Sequence, residues 1–430
     1  MNHHVNFVFA TLSLAVSTAW ATNGMMMEGY GPESLAMGGA SVAFDNGTAA
    51  MMNNPATLQL GANGSRLDLA LGQLGPNVRA GVAKSGGTSY LMPALGWVRK
   101  NNDYSWGIGV FGQGGMGTEY MAGAMGNGQA MRSEVAVGRV IFPVSMKLSE
   151  QVNVGATVDY TWGSMDLIME TSAAQLAGMY AAAGNTSPPP LPGATAGARL
   201  AFSDGSKFSG AAKATGWTGK LGMTFDASPT LRLGVSHQLK THLADMRTGA
   251  SSANMALFDA LGASLASMDG QIVVRNFQMP ASTTVGLAWQ ATPALGIALD
   301  LKTIAWSSAM ASFNMSFTPV GGAAMTFSMP QNWKDQTVTS VGASYRLNEA
   351  VVLRAGYSHA SNPVPDATVN PLFPAIVKDH FMLGVGVNLN KSTALNMAVS
   401  HAPKVTVTSP SAGTISHSQT NWQLMLTHRY

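Results

Sequence analysis

The 430-residue chain carries 24 Lys and Arg against 21 Asp and Glu, a charged fraction of 10%, where a water-soluble domain uses roughly 25%. A formal net charge of +3 without a Lys/Arg-rich run leaves no electrostatic footprint for nucleic acid. The absence of cysteine removes disulfides, thiolate metal sites and cysteine nucleophiles together. Mean hydropathy is +0.12, yet beyond the N-terminus no uninterrupted apolar run reaches the length of about 18 residues needed for a spanning helix.

In chain order, residues 5–18 form an apolar stretch around Val5, Phe7, Phe9, Leu12 and Leu14, followed by Ala19-Trp20-Ala21, a small-x-small pattern before a signal-peptidase cut. An exported bacterial protein is expected, with residues 1–21 as signal peptide, although the leading segment offers His3 and His4 rather than Lys or Arg. Residues 22–62 are Gly- and Met-rich with little alternation, and Met25, Met26, Met27, Leu35, Met37, Val42, Phe44, Met51 and Met52 make them too apolar for a disordered tail.

From there to residue 430 the hydrophobic period is two. Alternation marks Leu67/Leu69/Leu71, Trp106/Ile108/Val110, Val154/Ala156/Val158, Leu231/Leu233/Val235, Leu295/Ile297/Leu299, Leu353/Ala355/Tyr357 and Phe381/Leu383/Val385, among others. Asp68, Asp159, Arg232, Asp300, Lys302 and Arg354 all fall on the face opposite those sets, where they avoid the roughly 2–4 kcal/mol cost of a mid-bilayer charge. Tight turns are expected near 101–103, 149–151, 227–229, 292–293, 348–350 and 390–392, and long loops near 76–87, 116–132, 168–208, 248–270, 310–332, 362–378 and 404–418. That rhythm of short and long connections implies an all-β transmembrane antiparallel barrel of about 14 strands over residues 63–430, ending on the aromatic Tyr430. Residues 22–62 then read as a plug, or hatch, inside its lumen.

Two long loops read as helices. Thr171–Ala183 carries Leu176, Met179 and Tyr180, and Ser252 can cap a second helix on which Phe258, Leu261, Leu265 and Met268 recur at helical spacing. Enzymatic signals are poor. Gly107-Ile108-Gly109-Val110-Phe111-Gly112 matches a dinucleotide fingerprint but lies inside an alternating strand, and no metal-ligating pair or nucleophile motif stands out. No catalytic residue, cofactor or metal is assigned.

Met37-Gly38-Gly39-Ala40 followed by Asn54-Pro55-Ala56 resembles the FadL/TodX outer-membrane transporters of long-chain fatty acids and hydrocarbons. The likeness continues through Pro280-Ala281-Ser282, Trp333-Lys334-Asp335-Gln336, Arg354-Ala355-Gly356-Tyr357, Pro363-Val364-Pro365-Asp366, and Pro371-Leu372-Phe373-Pro374-Ala375-Ile376 before His380. The resemblance implies a monomeric barrel in contact with outer-membrane lipid and lipopolysaccharide, closed by its hatch, that passes hydrophobic molecules inward by diffusion. Long-chain fatty acids are the first expectation, with alkanes or monoaromatic hydrocarbons as the alternative; a general porin or a barrel enzyme is less favoured. It also implies a capture groove on the loop helices and lateral release at a break in the third strand, here Tyr104 to Gly115, where Gly112, Gly114 and Gly115 are the kink candidates; the plug around Asn54-Pro55-Ala56 is expected to act as the gate. A fatty carboxylate needs a cation in the lumen, and Arg232, Lys302, Arg346 and Arg354 have the parity for it.

Overall fold

The computed structural model describes residues 23–125, 129–207, 209–410 and 412–430; the expected signal peptide lies outside the described residues. We number the wall strands in chain order: β1 Gly64–Leu74, β2 Tyr90–Lys100, β3 Tyr104–Tyr120, β4 Met131–Lys147, β5 Val152–Ser172, β6 Ala212–Ser228 and β7 Leu231–Gln238. They continue as β8 Ser282–Gln290, β9 Leu295–Ile304, β10 Gln336–Arg346, β11 Val351–Ala360, β12 Asp379–Asn388, β13 Thr393–Ser409 and β14 Gly413–Arg429. Each pairs antiparallel with its neighbours, and β1 closes on β14 with Leu69 opposite Leu426. Closure leaves no edge to expose unpaired backbone to lipid.

The period-two pattern sets the faces. Trp106, Ile108 and Val110 of β3 point outward and are exposed, while Ser105 and Phe111 are buried inside. Asp68, Asp159 and Asp300 are all buried on the inner face. Outside, at the short-turn end, Trp97 packs edge-on against Trp106 and donates from Nε1 to the Tyr430 hydroxyl at 3.1 Å, the aromatic girdle of an interface.

The expected strand count needs correction. Followed pair by pair, the closed circuit passes through 18 strands, because Gly197–Phe202, Ala253–Phe258, Ser264–Arg275 and Met246–Arg247 are threaded between β5 and β6 at the long-loop end. Nearer the turns β5 and β6 pair directly, from Val152 opposite Phe225 to Met165 opposite Ala212. Segments expected as loops therefore continue the sheet above the bilayer and enclose an apolar core that includes Leu167, Leu200, Met255, Phe317 and Phe327.

The expected helix after Ser252 is also corrected: Ala253–Phe258 and Ser264–Arg275 form a hairpin. Asp259 Oδ1 accepts from the N–H groups of Leu261 and Ala263, each at 2.9 Å, and Gly262 takes φ +81°. This side-chain-to-backbone turn chemistry reverses the chain where apolar spacing alone suggested a helix. The other expected helix is present as α2, Ala173–Ala182, after the short α1, Pro32–Ala36; Ser172 and Gln175 form a capping box on α2.

Residues 23–60 are packed against inward-facing atoms of strands all round the circuit. Asp300 accepts the backbone N–H groups of Ser41 and Val42 at 2.8 and 3.0 Å, and Asp68 accepts both the N–H and the hydroxyl of Thr48 at 2.9 Å. Asn54 donates to the Val42 and Met223 carbonyls at 2.6 and 3.2 Å and caps the turn at Pro55–Leu60 by accepting from Ala56 N. Gly38, at φ +73°, fits because it has no Cβ, which would lie 2.5 Å from the Val341 carbonyl oxygen, and Gly356 faces it from the wall. The two Gly-bearing motifs of the sequence thus meet as one close backbone contact. Replacing Asn54 by Ala removes three hydrogen bonds and is expected to weaken docking of this segment by about 1–3 kcal/mol. Hydrogen exchange should then rise over residues 42–58 while the wall strands keep their protection.

Candidate functional site

β2 and β3 pair only from Lys100 opposite Ser105 to Leu95 opposite Val110. Beyond Val110 the strands part. On the β2 side, Pro93 lacks an N–H for the ladder; on the β3 side, register with β4 slips between Gly112 and Gly114, leaving Gln113 as an extra residue. The bulge is held from two directions. The Tyr30 hydroxyl donates to the Gln113 carbonyl at 2.6 Å, and Arg139 Nε donates to Gln113 Oε1 at 2.9 Å. Arg139 itself is tied to Asp159 and Gln238 at 3.0 and 2.6 Å.

The free edge of β3 is taken up from inside the barrel. Gly115 N donates to the Met25 carbonyl at 3.0 Å, and Met26 forms a bridge with Gly114. A Cβ on Gly114 would collide with the Met25 carbonyl, so this approach requires glycine. Farther along, Gly86 N donates to the Glu119 carbonyl at 2.7 Å and Ser85 Oγ accepts from Glu119 N at 3.0 Å. The opening in the wall is therefore bounded by Val110 below and Glu119 above.

A cavity of about 300 Å³ fills this opening. Met25, Met26 and Met27 line it from the N-terminal segment, Met92 and Pro93 from β2, Phe111, Gly112 and Gly114 from β3, and Val135, Val137 and Trp162 from the strands behind. It reaches Leu91 and Val110, whose side chains are exposed on the outer surface, so the apolar interior communicates with the face that meets lipid. Flexible methionine thioethers suit an irregular apolar surface.

Polar groups stand at its margins: Glu28, His417 and Gln419 at one part, Glu134 and Lys207 at another. Glu28 is buried; burial works to raise its carboxyl, but His380, whose Nε2 lies 2.9 Å from Oε1, outweighs this and holds it below the usual carboxylate range. The exposed Lys207 sits 5.8 Å above the Tyr90 ring centre.

The kink candidates Gly112, Gly114 and Gly115 lie at this cavity. Asn54, Pro55 and Ala56 do not; they pack in the lumen near Gly155 and Gly222, toward the short turns. Arg232, Arg346 and Arg354 line a second, polar cavity of about 440 Å³ at that end, together with Glu33, Asp45 and Asp226. There Arg232 is ion-paired with Asp226, and Arg354 donates to Asn396 at 3.1 Å. Lys302 lines neither cavity. In the long-loop region Leu176 is buried, Met179 and Tyr180 pack beside it, and the Tyr180 ring lies 6.0 Å from that of Phe327. Phe258, Leu261 and Leu265 belong to the hairpin, with Leu261 exposed at its tip. Sequence reasoning missed the lining role of Met25–Glu28, Met92, Phe111, Trp162 and His417; its one local signal was the Met-Met-Met-Glu run.

The family described as outer membrane protein transport protein (OMPP1/FadL/TodX) matches residues 10–427. The solved Pseudomonas putida toluene transporter TodX is 31% identical, superposes with a TM-score of 0.82, and the match covers 94% of this chain and 99% of that one. The Ralstonia pickettii toluene transporter TbuX is 30% identical over 94% of this chain and 99% of its own, with a TM-score of 0.76. A Pseudomonas aeruginosa FadL homologue, 16% identical over 94% of this chain and 99% of that one, shares the fold with a TM-score of 0.72. An uncharacterised Chlorobium limicola protein from a phosphoenolpyruvate carboxykinase gene 5′ region is 58% identical over 45 residues, 10% of this chain and 22% of that protein; the chain thus spans about a fifth of the length of that curated relative. A match over nearly the whole length, on a closed barrel with an apolar cavity in its wall, places the chain in the OMPP1/FadL/TodX family of outer-membrane transport proteins.

Proposed function

We propose that the protein is a passive outer-membrane channel for monoaromatic hydrocarbons, with residues 22–62 as its plug and the opening between β2 and β3 as a lateral exit. The observation that carries this reading is the apolar cavity of about 300 Å³ continuous with the outer surface between Leu91 and Val110. A dry apolar cavity of roughly 150 Å³ accepts benzene, so this one has room for one or two rings. The TodX and TbuX structures, described as toluene transporters, support the same substrate class.

The long-chain fatty acid expected from the family resemblance fits less well. None of the four cations expected to hold its carboxylate, Arg232, Lys302, Arg346 and Arg354, lines the cavity, and Lys207, which does, is exposed at its margin. In the proposed cycle, apolar groups of the long-loop region, Leu176, Met179 and Tyr180 among them, take up the ring from outside, and burial against methionine and glycine surface drives it inward at roughly 25 cal/mol per Å². Movement of Met25–Glu28 away from the β3 edge widens the route to lipid. The segment around Asn54-Pro55-Ala56 holds the plug to the lower wall, so the lumen itself stays shut. No nucleotide or ion coupling enters, because each step moves the ring between apolar surroundings.

Cells lacking their own transporter but expressing this chain should accumulate labelled toluene and not labelled oleate; oleate uptake without toluene uptake would sink the substrate assignment. Deleting Gln113 removes the extra residue and returns β3 to register with β4. This variant is expected to assemble in the outer membrane yet bring toluene uptake down to the level of cells without the protein, and wild-type uptake by it would eliminate the lateral exit.

A further inference from the structure

The apolar cavity carries a set of hydrogen-bond acceptors that a pure hydrocarbon would not use. Glu28 is 4% exposed and lines the cavity. Its two neighbours from the wall both address Oε1: Asn421 Nδ2 donates at 3.0 Å and His380 Nε2 lies at 2.9 Å. Among the described residues no side chain donates to Oε2. His417 lines the same cavity and is 7% exposed. Its Nδ1 lies 2.9 Å from the Pro374 carbonyl, which can only accept, so the proton sits on Nδ1 and the neutral ring presents Nε2 as a lone-pair acceptor. That Nε2 has no hydrogen-bond partner. The neighbouring Gln419 spends one of its two amide N–H groups on Asn421 Oδ1 at 2.9 Å.

This part of the lining therefore offers two acceptors, a carboxylate oxygen of Glu28 and Nε2 of His417, beside the amide of Gln419. A buried acceptor left unpaired is costly, and a site built to hydrogen-bond a substrate hydroxyl discriminates strongly against an analogue that lacks it. The same carboxylate repels an anionic ligand, since two like charges in a low-dielectric space disfavour each other.

We propose that the cavity is a binding site for neutral single-ring aromatics that carry a hydroxyl group, the ring lying against Met25–Met27 and the β3 glycines while the hydroxyl donates its one proton to Glu28. The inference rests on the aromatic channel reading above and refines its substrate class from hydrocarbons alone to phenolic and benzylic alcohols. Glu28 is then a specificity-determining residue, and His380 and Asn421 are positioning residues that fix which oxygen faces the ring.

The test is calorimetric titration of the purified full-length barrel in detergent with four probes: p-cresol, its methyl ether 4-methylanisole, toluene and benzoate. The wild type should prefer p-cresol over the methyl ether by about tenfold, the worth of one hydrogen bond to a charged group, and should not take benzoate. In Glu28→Gln, whose amide oxygen stays with Asn421 and His380 and whose NH2 faces the cavity, the ratio should fall to near one and benzoate binding should appear. Equal affinity for p-cresol and its ether in the wild type, tight benzoate binding by the wild type, or survival of the ratio in Glu28→Gln would each overturn the assignment. Should the variant fail to fold, the cresol and ether pair on the wild type decides alone. Toluene binding without hydroxyl preference refutes this inference only, whereas failure to bind any of the aromatic probes refutes the channel reading beneath it.

Discussion

A backbone crossing hydrocarbon must satisfy its own N–H and C=O groups, and a hole in the barrel wall violates that requirement at the place where it forms. The structure answers it by substitution. Where β2 leaves β3, the Met25 carbonyl takes the Gly115 N–H and Met26 bridges Gly114, so a short inner stretch stands in for the missing ladder. Above it, Gly86 and Ser85 take over at Glu119. The bulge at Gln113, the proline in β2 and the position of Met25–Glu28 are consequences of one bargain between a continuous ladder and an aperture. Because the replacement partner is the N-terminal segment, the state of the aperture and the position of that segment are one variable.

How firmly the segment sits follows from where its hydrogen bonds go. Asp68 and Asp300 each accept from its backbone, and such charge-assisted bonds in a water-poor lumen are strong. They grip Ser41, Val42 and Thr48, far along the segment from Met25. The Met25–Glu28 end is held instead by one backbone bond, one bridge and the pairing of Glu28 with β12 and β14. Local openings come from regions with few such ties, and the end at the aperture has fewer of them than the middle.

Much of this was legible in the sequence, and the limits have physical causes. Alternation placed Asp68, Asp159 and Asp300 on the inner face, since side-chain parity is a local property of a strand. Parity says nothing of height along the barrel: Arg232, Arg346 and Arg354 do face inward, but they collect at the short-turn end, away from the apolar cavity. Turn chemistry located the short connections, whereas Gly197–Phe202 and Ala253–Phe258, rich in small residues, read as loop until their partners were seen. The hairpin tip at Asp259 was visible in principle, because an Asp followed by Gly262 signals a reversal more strongly than Phe258, Leu261 and Leu265 signal a helix. The slip in register between Gly112 and Gly114 falls in a stretch whose glycines were readable. Its partner at Met25 and Met26 was not, as a bridge between residues so distant in sequence leaves no period to detect.

The glycines of β3 have an effect on how the protein tolerates change. A Cβ at Gly107 would strike Trp97, at Gly109 Phe111, at Gly112 Met92, at Gly115 Val135 and at Gly117 Tyr90. None of these positions contributes a functional group, yet a saturation scan across β3 would score them as intolerant in the manner of catalytic side chains. What such a scan would outline is how closely neighbouring backbone and side chains crowd this strand, a packing demand that mimics a chemical one.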